Sequence, residues 1–367
     1  MLLQASRVAL LVALRFNIAT FPFNTAQRQT GDCRPQLLYT FMRYISVQGT
    51  MRLIRGQHNL PSFSQSLDVS GSAVTIGAFD GVHRGHQEVL GHLKREAKTR
   101  GLSTAVITFE PLPGEFLFPE KAPPRLMTFR EKFHALEALG IDHLLCLRFN
   151  DDLRTMSPRS FVEHIFVNGL GARYIAFGDD FRFGKERAGD LAFTESLASE
   201  FGYDVVPTST FDVAGERVSS TRIRSVLLDA DFGQAADLLG RPFILSGKVL
   251  KGKQLGRQIG SPTANIALKR VKSPLHGVYA VRVKGAGMTD APGVANVGVR
   301  PTVNDGTLAN LEVNLFDFTR DIYGERLEVE FMTKLRDEKK FDSLDSLKAA
   351  IARDQESARE WHAANPA

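Results

Sequence analysis

Cysteine is nearly missing from this sequence: Cys33 and Cys146 are the only two in 367 residues. Two cysteines cannot build a disulfide framework, and without a CxxC pair a structural zinc site is excluded as well. A reducing cytoplasm suits such a chain. Long apolar runs are missing too. The run Val8–Leu14, flanked by Arg7 and Arg15, falls far short of the roughly 20 residues that span a bilayer. Acidic side chains are scarce only at the start, where Asp32 alone faces Arg7, Arg15, Arg28, Arg34 and Arg43. That segment carries four of the five net positive charges, and the chain from Met51 onward is nearly neutral. The sequence pI of about 9.2 therefore makes no case for a nucleic-acid partner.

What is present is ordinary globular composition, 43% hydrophobic and 24% charged, which excludes disorder over most of the length. The length suits two cores, since single domains stop growing near roughly 250–300 residues. The first fifty residues fit neither core, and three readings stay open for them. A secretory signal would want a small-residue cleavage site, and Phe16-Asn17-Ile18 is a poor one. The Arg-rich, acid-poor composition suits an organelle transit peptide better. In the third reading the segment has no working role and translation begins at Met51, where organised patterns set in. We take residues 1–60 as a leader, disordered or a start-site artefact, 61–238 as a first domain and 239–367 as a second.

A β-rich run at Ala73–Ile76 leads through Gly77–Gly81 into a helical stretch near His86–Arg100. Leu102–Phe109, Asp142–Arg148 and Arg173–Gly178 predict strands, Arg130–Leu139 and Pro158–Asn168 helices, and Pro111–Pro124 a loop. Strands alternating with helices predict an α/β, Rossmann-like parallel sheet whose ligands bind at the carboxyl ends of the strands. The pattern changes near Arg241-Pro242. Short runs follow at Leu245–Leu250, Gly277–Val283, Val294–Val297, Leu311–Phe316 and Leu327–Phe331, punctuated by Gly, Pro, Asn and Asp, before a helical Ser343–Trp361. That predicts an all-β barrel closed by a C-terminal helix.

The segment Gly77-Ala78-Phe79-Asp80-Gly81-Val82-His83-Arg84-Gly85-His86 carries the strongest chemical signal. Its glycines make a tight strand-to-helix turn that aims backbone N–H groups and the helix's positive end at one point. His83 and His86, one helical turn apart, point to the same place, and Gly85 leaves room between them for a phosphate chain. Such a donor set suits attack on a nucleotide's α-phosphate with pyrophosphate leaving. Alone, an HxxH pair is more often a helix surface or core pair; here it follows a strand and a glycine turn. In Ser219-Ser220-Thr221-Arg222-Ile223-Arg224, Ser220 and Thr221 can cap a helix while Arg224 reaches phosphates, though a capped surface helix reads the same way.

Gly247–Gln254 comes close to a P-loop, but Gln254 supplies no Mg²⁺-binding hydroxyl and no helix pattern follows, so it is not one. Beyond it Gly252, Gly256 and Gly260 make a flexible loop through Arg257. Pro262-Thr263-Ala264-Asn265 then offers a hydroxyl and an amide oxygen two residues apart. On extended chain these point to one side and can hold Mg²⁺ already bound to ATP phosphates. Glu312, in Leu311–Leu315, would by itself be a solvent-facing strand glutamate.

These segments resemble the prokaryotic bifunctional riboflavin kinase/FAD synthetases. The first is similar to the GxFDGVHxGH form of the nucleotidylyltransferase HxGH motif, and Ser219–Arg224 to the family's SSTxIR element. Gly178–Gly184 is similar to the loop G-[DE]-[ND]-F-x-F-G. Gly252–Ile266 is similar to GxxxGRxxGxPTANI, and Asn296–Thr302 and Asp321–Glu325 match as well. The resemblance runs from about residue 70 to 362. It implies a nucleotidylyltransferase domain followed by a six-stranded riboflavin-kinase barrel, with phosphorylation of riboflavin to FMN and adenylylation of FMN to FAD. It implies His83, His86, Arg224 and Glu312 as catalytic, Glu312 taking the proton of the flavin 5′-hydroxyl. Thr263 and Asn265 would be the Mg²⁺ contacts. Nucleotide and flavin would lie against Gly77, Phe79, Asp80, Gly81, Asp180, Phe181, Phe183, Ser220, Thr221, Gly252, Gly256, Arg257 and Arg336. Phe181 and Phe183 read equally well as core.

Two positions depart from the pattern, Leu112 and Asn314, each where relatives usually carry histidine; neither is assigned chemistry. The implied partners are riboflavin, FMN, FAD and ATP, with no nucleic acid and no membrane. Weak self-association stays open, as does release of FMN between the sites. A transferase of the same superfamily acting on another phosphate would have no use for the second site. A flavin-binding protein without catalysis would have no need of His83, His86, Thr263, Asn265 and Glu312.

Overall fold

The computed structural model describes residues 51–66, 70–178, 180–208, 211–251, 262–301 and 307–366. The leader residues 1–50, and Gly252, Gly256 and Arg257, lie outside the described residues.

Six strands form the first sheet: β1 (Arg52–Arg55), β2 (Ser72–Ile76), β3 (Ser103–Phe109), β4 (His143–Leu147), β5 (Ala172–Gly178) and β6 (Asp204–Thr208), all parallel, in the order β1-β4-β3-β2-β5-β6. The expected α/β sheet is present, with one correction at its start. β1 pairs with β4 from Arg52↔His143 to Arg55↔Cys146, and Met51 is buried, so the first domain takes in residues assigned to the leader up to 60. All five residues of β2 are buried, as the central strand of a sheet covered on both faces must be. From β2 the chain winds one way to β3 and β4, then crosses to β5 and β6. The end of β2 is therefore the point where strand order reverses, the position at which such sheets bind their ligands.

Helix α1 (Arg84–Arg100) follows β2 and buries Leu90, Leu93 and Ala97 on the sheet. It ends at Gly101, whose φ of 65° suits only a residue without Cβ strain. Helix α2 (Phe129–Ala138) begins at a capping box, in which Thr128 accepts from the Glu131 N–H and Glu131 accepts from the Thr128 N–H. Pro111–Pro124 is not wholly loop, since Pro113–Leu117 is helical. The helix at Pro158–Phe161 continues as a π-helix over Val162–Val167. Helices α3 (Ser220–Leu228) and α4 (Phe232–Leu239) lead to the junction.

A two-stranded antiparallel ribbon, β7 (Asp212–Val213) with β8 (Glu216–Arg217), precedes the second sheet. That sheet is built of β9 (Ile244–Leu250), β10 (Ala264–Ala267), β11 (Gly277–Gly285), β12 (Met288–Pro301), β13 (Thr307–Leu315) and β14 (Arg326–Arg336), every pair antiparallel. It closes on itself in the order β10-β13-β12-β11-β14-β9. Alternation decides which face is inside: buried Leu327, Val329 and Phe331 alternate with Arg326, Glu328 and Glu330. The terminal helix α5 (Leu344–Ala364) packs on the outside, with Ala358 against Val278, Ala280, Val294 and Phe316.

The core does not divide at residue 240. Ile223, Leu227, Phe232, Leu238 and Leu239 share one apolar cluster with Leu245, Tyr279, Leu311 and Phe331 of the barrel.

Candidate active sites

The segment after β2 sits at the strand-order reversal. His83 is the N-cap of α1, its Nδ1 accepting from the His86 N–H at 3.3 Å. With Nδ1 an acceptor, the ring's proton is on Nε2. The two imidazoles are stacked, centroids 3.6 Å apart and 17° from parallel, and Phe79 lies 5.0 Å from His86. Burial, then the Arg241, Arg217 and Arg224 cations, pushes His83 down to about 4. Burial, helped by His83 and Lys132, pushes His86 well below its ordinary value. Both are neutral donors at physiological pH. Nδ1 of His86 is buried and has no hydrogen-bond partner among the described residues. A Cβ at Gly85 would lie 3.2 Å from the His83 ring, so the glycine makes room for that imidazole.

The turn is held in an uncommon shape. Phe79 and Val82 have φ of 47° and 40°, left-handed values that non-glycine residues rarely adopt, and Gly81 lies at 88°. Such strain persists only where the surroundings over-determine it. Gln87 donates to the Val82 carbonyl at 2.9 Å, and Arg241 donates to the carbonyls of Gly81 at 2.5 Å and Val82 at 3.2 Å. Asp80, only 3% exposed, accepts the backbone N–H groups of Leu126 and Met127 and the Arg224 guanidinium at 2.5 Å. Asp80 and Arg224 were expected at the nucleotide; here they brace the turn, with Arg224 also donating to the Pro124 carbonyl. Ser219 rather than Ser220 caps α3, accepting from the Arg222 N–H, while the Ser220 hydroxyl donates to the Asp80 carbonyl. Thr221 is exposed.

Two basic residues here were missed from the sequence. Lys132 is 2% exposed and donates to the Ala78 carbonyl and, at 3.1 Å, to Thr108. Its signal was a lysine within the apolar stripe Phe129, Phe133 and Leu136. Arg241 had no local signal for this role, because its partners in the turn, Gly81 and Val82, lie 160 and 159 residues away. Just beyond β5, Asp180 pairs with Arg217 at 3.1 Å, both exposed. Phe181 stacks on Phe183 at 6.0 Å, and Phe183, 6% exposed, packs in the core among Phe161, Phe166 and Phe177.

In the barrel, register assembles the second set. Asn265 lies directly opposite Glu312, and Glu312 opposite Asn296. Ile266, Leu311 and Val313 are buried inside, which leaves Asn265 and Glu312 on the outer face. Cross-strand partners like these hold their Cβ atoms about 4.5–5.5 Å apart. Asn310 donates to Glu312 at 2.9 Å. Thr263, just before β10, lines a cavity of about 310 Å³ with Pro262, Arg320, Asp321 and Tyr323. Arg336, expected at the flavin, is held by Asp354 of α5 in a two-point pair at 2.7 and 2.6 Å.

A parallel sheet with paired histidines at its strand-order reversal, joined to a closed barrel with oxygen donors on its outer face, defines a two-domain transferase. Comparison with known proteins sharpens that class. A family described as FAD synthetase matches residues 66–222, and one described as riboflavin kinase matches residues 239–362. The chain is 46% identical over 311 residues to the bifunctional riboflavin kinase/FMN adenylyltransferase of Escherichia coli (strain K12), covering 85% of this chain and 98% of that one. It is 48% identical over 309 residues to the Pseudomonas fluorescens protein of the same description, covering 84% and 97%. A crystal structure from Streptococcus pneumoniae, described as a macrolide-efflux protein, superposes with a TM-score of 0.65 at 30% identity, covering 85% of this chain and 99% of that one. Among the described residues no helix is long and apolar enough to cross a membrane. This chain belongs to the bifunctional riboflavin kinase/FMN adenylyltransferase family.

Proposed function

We propose that the barrel transfers the γ-phosphoryl group of ATP to riboflavin, and that the sheet domain transfers AMP from a second ATP to the resulting FMN. In the barrel the riboflavin 5′-hydroxyl oxygen bonds to the γ-phosphorus, ADP leaves, and Glu312 takes the hydroxyl proton. In the sheet domain an FMN phosphate oxygen bonds to the α-phosphorus and pyrophosphate leaves. His83 and His86 donate N–H groups to the phosphoryl oxygens as charge builds there. His86 Nδ1, without a hydrogen-bond partner among the described residues, and the cations around the pair, Arg217, Arg224, Arg241 and Lys132, suit an anionic ligand.

Mg²⁺ enters with ATP in this reading. Thr263 and Asn265 offer hard oxygen donors, and among the described residues no group of three or more His, Cys, Asp or Glu could hold a metal ion. That donor set fits a cation whose remaining ligands are substrate phosphates and water. When bound it would screen the phosphate charge as the bond to the leaving group breaks. Flavins are substrates and products, the reaction is cytoplasmic, and neither nucleic acid nor membrane takes part.

The register that sets Asn265 opposite Glu312, two residues past Thr263, carries the two-site reading. Incubation with riboflavin, ATP and Mg²⁺ followed by chromatography of the flavins tests it. FMN should accumulate first and FAD later. FAD made only from supplied FMN, with riboflavin untouched, would remove the kinase half.

A further inference from the structure

We propose that Asn314 is a positioning residue for phosphoryl transfer, fixing the Pro262–Thr263 peptide and tying it to helix α5. The inference rests on the role given above to Thr263 and Asn265.

Asn314 lies on β13 two residues beyond Glu312, hence on the same face, and is 8% exposed. Both ends of its amide are used. Nδ2 donates to the Pro262 carbonyl at 2.7 Å, and Oδ1 accepts from Gln355 Nε2 of α5 at 3.1 Å. Proline has no N–H, so that carbonyl is the only backbone polar group of residue 262. The peptide unit is planar, so holding its oxygen also sets the direction of the Thr263 N–H and Cα. On the other side of Thr263, β10 begins at Ala264, paired with Val313. Thr263 is thus pinned by neighbours on both sides, one a strand pairing and the other a side-chain amide.

The post behind Asn314 is firm. Asp354, next to Gln355, holds Arg336 through two hydrogen bonds, and Ala358 is fully buried one turn further on. The amide therefore carries the position of α5 to the residue before the proposed phosphate-side hydroxyl. With its amide given to Pro262 and Gln355, Asn314 acts through Thr263.

Full-length Asn314→Ala, Asn314→His, Gln355→Ala and Thr263→Ala would be compared for FMN formation against MgATP, for FAD formation from FMN, and for thermal midpoint. One lost hydrogen bond is worth roughly a fivefold change, so Asn314→Ala should raise KM for MgATP by about five- to tenfold. KM for riboflavin and the FAD reaction should hold. Gln355→Ala should shift KM for MgATP the same way but less. Asn314→His should restore most of it, because a neutral imidazole presents one donor and one acceptor on opposite sides. A lower midpoint with unchanged KM for MgATP in Asn314→Ala would reduce the residue to a structural role and overturn the proposal. If Asn314→Ala does not fold, an unchanged KM for MgATP in Gln355→Ala overturns it instead. Loss of FMN formation in Thr263→Ala with no effect at Asn314 sinks this inference alone. An unaffected Thr263→Ala sinks the magnesium reading beneath it.

Discussion

Glu131 of α2 and Arg270 of the barrel meet at 2.8 Å across the junction of the two domains, their side chains 13% and 1% exposed. The same carboxylate closes the capping box of α2 and accepts the Ser246 N–H and hydroxyl at the start of the barrel. Arg270 also donates to the Arg125 carbonyl, and the next two N–H groups, of Leu126 and Met127, hold Asp80. A short path of polar contacts therefore runs from the barrel to the turn carrying His83.

Breaking a buried pair on one side leaves an uncompensated charge, typically at a cost of about 3–5 kcal/mol. Arg270→Ala should lower the stability measured by denaturant unfolding by about that amount, and it should depress FAD formation more than FMN formation. Equal losses in the two activities would mean the pair serves folding and nothing finer.

Replacing His83 and His86 with Ala removes donors to the transferring phosphoryl group. Loss of one such donor costs about 2.7–4 kcal/mol, or roughly 10²–10³ in rate. FAD formation from FMN should fall at least that far while riboflavin is still phosphorylated. Parallel decline of both rates would return the pair to a packing role.

How much of this was legible in the sequence depends on the range of the interaction. The turn after β2 could be read because its glycines, histidines and following helix are contiguous. The alternation that makes Leu311 and Val313 inner and Glu312 outer is equally local. β1 was missed because Arg52–Arg55 is an edge strand with a charged residue at each end, and only its pairing with β4 makes it a strand. Asp80 and Arg224 look like ligand residues by type, yet each is the other's partner. Phe183 shows the same limit, since an aromatic beside a glycine loop has one pattern whether it meets a flavin or Phe161. Glu131 and Arg270 lie 139 residues apart, and no spacing announces such a pair.

Acid should weaken the fold through His83. Its folded value near 4 lies below the ordinary 6.5, so between these the unfolded chain binds a proton that the folded chain refuses. Stability is then fully present above about 6.5 and is lost as the pH falls toward 4. His86, shifted the same way, adds to the slope. Thermal midpoints recorded from neutral to acid pH should drop through this window, and a His83→Gln, His86→Gln protein should drop less. An identical slope in the two proteins would place the acid sensitivity elsewhere.

The last prediction concerns where the barrel ends as a folding unit. Motifs divide near residue 240, so a fragment of residues 241–367 is the natural choice for isolating the kinase. The packing advises against that cut. Phe232 lies 5.8 Å from Tyr279 and 6.1 Å from Phe331, and Ala235, Leu238 and Leu239 are buried in the same cluster. Removing α4 strips this cover from the barrel, and losing one buried phenylalanine alone costs about 3–5 kcal/mol. A fragment starting at Ala230 keeps the helix with its Asp231 cap. It should melt well above the 241–367 fragment and stay monomeric where the shorter one associates through its bared apolar face. Both should make FMN when folded, since Thr263, Asn265, Glu312 and Asn314 are common to both. Equal midpoints would show that α4 contributes nothing to the barrel's stability and that the domain boundary follows the motifs after all.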